Sequence, residues 1–186
     1  SNMQPWRVWV LTGDVKERLT AELYDRHMSG DDGAPEWAYY PKEMAEPFLS
    51  RRRATGWGLY GVLGIPKGDR AATRRQQARN YRFFDAPVGL IFTIGRGLGS
   101  WIHYGCFLQT VMLAARAHGL ETCPQAVFRN YHDTISRRLA IPPDQMIVTG
   151  MALGYADPDA PVNRFRTDRA PVSTFMTVPT ELQADA

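Results

Sequence analysis

What is scarce narrows the chemistry first. The chain of 186 residues has two cysteines and four histidines. Cys106 stands in an apolar run and Cys123 beside Pro124, so a reduced, cytosolic (cytoplasmic) setting is the plainer expectation. His27, His103, His118 and His132 show no metal-ligand spacing, so no protein-built metal site is expected. No run of about 18 uncharged apolar residues exists, which argues against a membrane span. Also missing are a Gly-x-Ser-x-Gly elbow, a Walker loop and a strand-borne Gly-x-Gly-x-x-Gly. Gly95-Arg-Gly-Leu-Gly99 follows an apolar run but lacks the further glycine and reads as a turn. With no acid–base set in view, a cofactor that brings its own reactivity becomes attractive.

What is present is an ordinary globular composition, 44% hydrophobic and 22% charged, in a length that suits one domain. The net charge of +3 is unevenly placed. Between Arg51 and Arg82 stand nine basic residues against one acid, Asp69. Such a run can be a solvated helix face, a site for an anionic substrate or nucleotide phosphate, or a nucleic-acid surface. No nucleic-acid motif accompanies it, so no nucleic-acid partner is expected.

Periodicity and punctuation predict the elements. Arg7 to Leu11 reads as a strand, and Asp14 to Met28 as a helix with Asp14 as cap and Glu17 reaching back. Ser29 to Pro35 is a loop, and Glu36 to Pro41 an aromatic one. A helix is expected from about Glu43 to Leu63, then a basic helix capped by Asp69 and ending near Phe84. Ala86 to Ile94 and Gln145 to Tyr155 are apolar enough for buried strands. Residues 101 to 118 are apolar on most faces, which suggests a helix buried all round, in a core or between subunits. Asn130 is expected to cap a short helix to Ala140. The order predicts an α+β subunit: a small, mostly antiparallel sheet surrounded by helices. Residues 156–186 form an extended C-terminal arm, which is stable only when packed on something, such as a partner subunit.

A flavin would need amide partners for its ring edge, cations for its phosphate and an apolar wall for its face. Asn2 and Gln4 offer donors and acceptors together. Arg166 and Arg169 could grip a phosphate with bidentate geometry. Trp37, Tyr39 and Tyr40 could line a planar substrate. Each has a plainer alternative: loop solvation, surface charge, core packing.

Several segments then form a familiar pattern, in order along almost the whole chain. Asn2-Met-Gln-Pro-Trp6 resembles half of the P-S-x-x-N-x-Q-P-W loop of the nitroreductase family. Phe84-Asp-Ala-Pro-Val88 resembles the entry to its central strand, and Leu108 to Ala115 with Gly119-Leu120 its central dimer helix. Gly154-Tyr-Ala-Asp157, Asn163 and Arg169-Ala-Pro171 resemble the close of its domain and its phosphate-binding arm. Ser50 to Arg53, Gly58 to Tyr60 and Gly68-Asp69 are similar to the branch that includes nitrobenzoate reductases. The resemblance implies a single nitroreductase-like domain over 1–186 in an intertwined homodimer, with the arm packed on the partner. It implies bound FMN, NADPH or NADH as reductant, and ping-pong reduction of nitroaromatic or quinone-type acceptors, the substrate being a small planar aromatic. Carried over, Asn2, Gln4 and the Pro124-Gln125-Ala126 turn would meet the flavin from different subunits, the turn by its backbone amides. Arg169, supported by Arg166, would bind the phosphate, and Arg82 would lie near the ring or nucleotide. The family's Arg-x-Ser-x-Arg segment and first helices are expected to be missing. His103 stands where an acid is expected, and Thr110 where Asn is. Two alternatives stay open: a flavin-free, non-catalytic dimeric remnant of the fold, and another flavin chemistry such as dehalogenation or enoyl-type reduction.

Overall fold

A computed structural model describes residues 2–97 and 99–180. Its centre is a four-stranded antiparallel sheet in the order β1-β2-β4-β3, from β1 (Trp6–Leu11), β2 (Val88–Gly95), β3 (Glu121–Gln125) and β4 (Gln145–Gly154). β2 and β4 are buried along nearly their whole length, as their apolar runs require of central strands covered on both faces.

Alternation along these strands divides the core in two. On one face Leu90, Phe92, Ile94, Val148 and Met151 meet Tyr104, Phe107 and Val111 of α4 (Trp101–Ala117). On the other, Ile91, Ile147 and Ala152 meet Leu19 and Leu23 of α1 (Gly13–Met28) and Ile135 of α5 (His132–Leu139). Phe83, Phe128 and Tyr131, from two 3-10 segments, complete that second layer. Two glycines make room for it. A Cβ on Gly89 would lie 2.4 Å from the Phe83 ring, and one on Gly150 would lie 2.3 Å from Phe128. Both rings lie against bare backbone and stack on each other at 4.4 Å.

Several elements differ from expectation. α1 begins at Gly13 with Thr12 at its cap position, and Glu17 pairs with Lys16 at 2.7 Å instead of reaching back. α2 (Phe48–Val62) starts five residues after Glu43, behind Pro47. Asp69 does cap α3 (Arg70–Ala78), accepting from the Ala72 N–H at 2.9 Å. The chain then tightens into a 3-10 segment, Arg79–Asp85, where Phe83 and Phe84 take left-handed φ of 52°. Asn130 caps nothing: it lies inside the 3-10 segment Ala126–Tyr131, and its carbonyl accepts from Ala34 N–H at 2.9 Å. α4 is not buried all round in the single chain. Tyr104 is buried, but Ile102, Cys106 and Leu113 form an exposed stripe at helical spacing. Cys123 is likewise exposed.

Candidate active site

The loop after α1 is pinned at close intervals. Asp31 accepts from the Gly33 N–H at 2.8 Å and pairs with Arg26 at 2.7 Å, and these two contacts hold its carboxyl below the usual range. Gly33 lies against the Asn130 carbonyl, where its Cβ would be at 2.2 Å, and has a φ of +69°, so no other residue fits. The buried Tyr131 hydroxyl donates to the Asp31 carbonyl; burial, then Asp31, push its pKa up to about 12, so it remains a donor. Glu36 meets Arg96 closely and lies 3.9 Å from His132.

So anchored, the loop presents Trp37, Tyr39 and Tyr40 as a wall. The Trp37 indole N–H donates to the Ile147 carbonyl of β4 at 2.9 Å. Trp37 meets Trp101, at the start of α4, with centroids 5.7 Å apart, and Tyr39 at 5.8 Å. Tyr39 and Tyr40 meet edge to face at 4.7 Å. Arg129 braces the group. Its guanidinium lies 5.4 Å from the Trp37 centroid and 5.5 Å from that of Tyr39. It also donates to the Trp37 carbonyl at 3.2 Å and to the Ala126 carbonyl at 2.9 Å. That last bond ties the wall to Pro124-Gln125-Ala126. Sequence reasoning missed Arg129, because nothing in Phe128-Arg-Asn130 marks it apart from a surface arginine.

Pro124 and Gln125 are not in a turn, as expected, but end the edge strand β3, with Ala126 opening the 3-10 segment. Pro124 is tolerated there because the outer side of β3 has no partner strand among the described residues. Gln125 is 3% exposed and donates its amide N–H to the Asn80 carbonyl at 2.8 Å. Its side-chain oxygen is buried without a partner among the described residues, an unmet acceptor of the kind that native interiors rarely leave.

The remaining residues lie in other places. Asn2 and Gln4 are exposed just before β1, where Ser100 Oγ donates to the Met3 sulfur at 3.7 Å, next to Trp101. Arg166 and Arg169 line a groove of about 780 Å³ between the arm and α2, together with Arg51. Phe165 packs the arm onto α2 where Gly58 has no side chain. Arg82 covers the Tyr24 ring of α1 at 4.0 Å instead of joining the wall. Within one chain, Arg129 thus links the wall to Ala126, and the arm arginines lie in a groove of their own. Among the described residues no acidic, histidine and cysteine groups cluster to hold a metal ion.

A braced group of aromatic rings on one loop suits a flat heterocycle. Over residues 1–155 the sequence matches the model of the nitroreductase family. The chain belongs to that family. Its curated relatives include the nitrobenzene nitroreductase of Ectopseudomonas oleovorans, 42% identical over 95% of this chain and 79% of that protein. The 4-nitrobenzoate reductase of Pseudomonas putida is 44% identical over 94% of this chain and 77% of its own. Among solved structures, the FMN and NADPH-dependent nitroreductase NfnB of Sphigopyxis sp. strain HMH superposes with a TM-score of 0.92 at 36% identity, covering 97% of this chain and 82% of that one. The NfnB of Mycobacterium smegmatis in complex with NADPH superposes at 0.89 with 30% identity, over 96% and 80%. This nitroreductase is therefore an oxidoreductase with the expected α+β fold.

Proposed function

We propose that the chain is one subunit of an FMN-dependent homodimer that uses NADPH or NADH to reduce nitroaromatic and quinone-type acceptors by a ping-pong mechanism. The observation that carries this reading is the wall of Trp37, Tyr39 and Tyr40, braced by Arg129 and by Trp101. The residues fit the group. The amides of Asn2 and Gln4, both exposed, supply acceptors and donors for a heterocyclic ring edge. Arg166 and Arg169, both exposed, supply cations for a phosphate. When bound, the flavin supplies the two-electron step from reduced nicotinamide to acceptor. The open edge of β3 offers backbone donors from a rigid element, the arrangement that stabilises developing negative charge. The wall holds a planar ring by its face and excludes water from it. The exposed Ile102–Cys106–Leu113 stripe of α4 supplies the apolar surface for dimerisation. Pairing subunits across it accounts for cofactor residues that one chain leaves apart.

The test is the visible spectrum of purified protein after FMN is added and excess removed by gel filtration. Bands at about 370 and 450 nm, as any oxidised flavin shows, that travel with a dimer are expected. A colourless protein after reconstitution would leave the flavin-free reading standing. Parallel double-reciprocal plots for reductant against acceptor are expected of ping-pong turnover, and converging lines would exclude it.

A further inference from the structure

α2 carries two grooves on opposite faces. Arg51, Ala54, Thr55 and Gly58 share the face turned to the arm. Arg52, Arg53, Gly56 and Tyr60 share the other, as a period of 3.6 residues dictates. The second face opens into a cavity of about 850 Å³, closed by the segment after α2 and lined by Arg52, Arg53, Trp57, Tyr60 and Lys67. None of the residues assigned above to cofactor or substrate lies in it.

Four observations define its occupant. First, among the described residues Arg52, Arg53 and Lys67 form no ion pair, and no acid lines the cavity. Three unneutralised cations suit a doubly charged phosphate monoester better than a single carboxylate. Second, Trp57 is 62% exposed, an unusual state for an indole, and the Lys67 ammonium lies 5.8 Å from its centroid. A bare indole beside a cation is a platform for a planar base next to a phosphate. Third, the groove, at about 850 Å³, has room for a nucleotide. Fourth, a series of side-chain contacts leads from it to the wall: Arg52 lies 4.1 Å over Tyr40, Tyr40 meets Tyr39 at 4.7 Å, and Tyr39 meets Trp37 at 5.8 Å.

We propose that the groove between α2 and Lys67 binds the adenosine 2′-phosphate end of NADPH, and so sets a preference for NADPH over NADH. This rests on the nicotinamide-dependent reading above. Trp57 stacks on the adenine, and Arg53 and Lys67 hold the 2′-phosphate. Arg52, fixed over Tyr40 between groove and wall, lies along the path of the pyrophosphate.

The holoprotein is titrated with 2′,5′-ADP and with 5′-AMP by calorimetry and by tryptophan fluorescence. 2′,5′-ADP is expected to bind roughly ten-fold or more tightly than 5′-AMP, the scale of one charge-assisted phosphate contact. Its affinity should fall as salt is raised, and its quenching should be lost in Trp57→Phe. The Arg53→Ala/Lys67→Ala variant should raise the ratio of KM for NADPH to KM for NADH by roughly ten-fold or more. Equal binding of the two nucleotides would overturn the proposal, as would an unchanged ratio. A rise in KM for 4-nitrobenzoate with no change in the nicotinamide ratio would assign the groove to an acceptor carboxylate instead. Binding needs no turnover. A colourless protein that binds 2′,5′-ADP would defeat the flavin reading alone, and a yellow, active protein that does not bind it would defeat this one alone.

Discussion

Gly150→Ala is the sharpest test of how the sheet positions the site. The added methyl would stand 2.3 Å from Phe128, where carbon atoms settle at about 3.5 Å or more. The ring must move by about 1.2 Å or the strand must bow. Phe128 has no room: it is fully buried, stacked on Phe83 at 4.4 Å and met edge-on by Tyr81 at 5.8 Å. Overpacking of this kind costs about 1–3 kcal/mol, against a total stability of about 5–15 kcal/mol. Urea unfolding should show the midpoint falling at constant slope. Phe128→Leu alone should also destabilise, through the space it leaves, and the double variant should be more stable than the summed losses indicate. Arg129 follows Phe128 in the same 3-10 segment, so Gly150→Ala should also raise KM for a planar acceptor. A stability change below about 0.5 kcal/mol, the noise of an ordinary surface substitution, would refute the packing argument, as would strict additivity in the cycle.

Other expectations follow from the same structure. Arg129→Ala removes two donated bonds and a cation shared by two rings, so about 1–3 kcal/mol should be lost in urea unfolding, with Lys recovering only part. His27 is buried and neither ring nitrogen has a hydrogen-bond partner among the described residues. Burial first, then Arg74, lower its pKa from 6.5. The unfolded chain therefore takes up the proton first, so this stability is intact above pH 6.5 and is lost as pH falls through the lowered value. His27→Gln should flatten that part of the stability profile, and an unaltered slope would exclude His27 as its source. Ile102→Glu, on the exposed stripe of α4, should shift sedimentation from dimer to monomer at micromolar concentration. Arg166→Ala/Arg169→Ala should weaken FMN retention on gel filtration, and full retention would remove the arm arginines from the phosphate site.

Legibility in the sequence followed burial. β2 and β4 are covered on both faces, so their side chains form short continuous apolar runs, rich in β-branched residues and bounded by turn residues. β3 lies at an edge and has five residues, Glu-Thr-Cys-Pro-Gln, with no apolar run, so the sequence marks no strand there and the resemblance implies only a turn at Pro124-Gln125-Ala126. The cap assigned to Asn130 failed because the short polar side chain that favours a cap is equally at home in a 3-10 segment, and its carbonyl was already engaged by the loop. The aromatic wall was legible because Trp37, Tyr39 and Tyr40 crowd one loop. Its brace was not, because Arg129 reaches Trp37 across 92 residues and local sequence carries no trace of that distance. The basic run was legible as charge, while its division into two grooves needed the helix that separates them.

The pinned loop has a consequence for timing. Gly33 on the Asn130 carbonyl, Trp37 on β4, Glu36 with Arg96 and Arg129 across both rings fix residues 31–37 before any ligand arrives. The entropy of ordering them is spent once, when the chain folds, and not again at each binding event. A wall that is set in advance admits a flat molecule without a closing motion. It also cannot reshape itself around a bulky or strongly bent one.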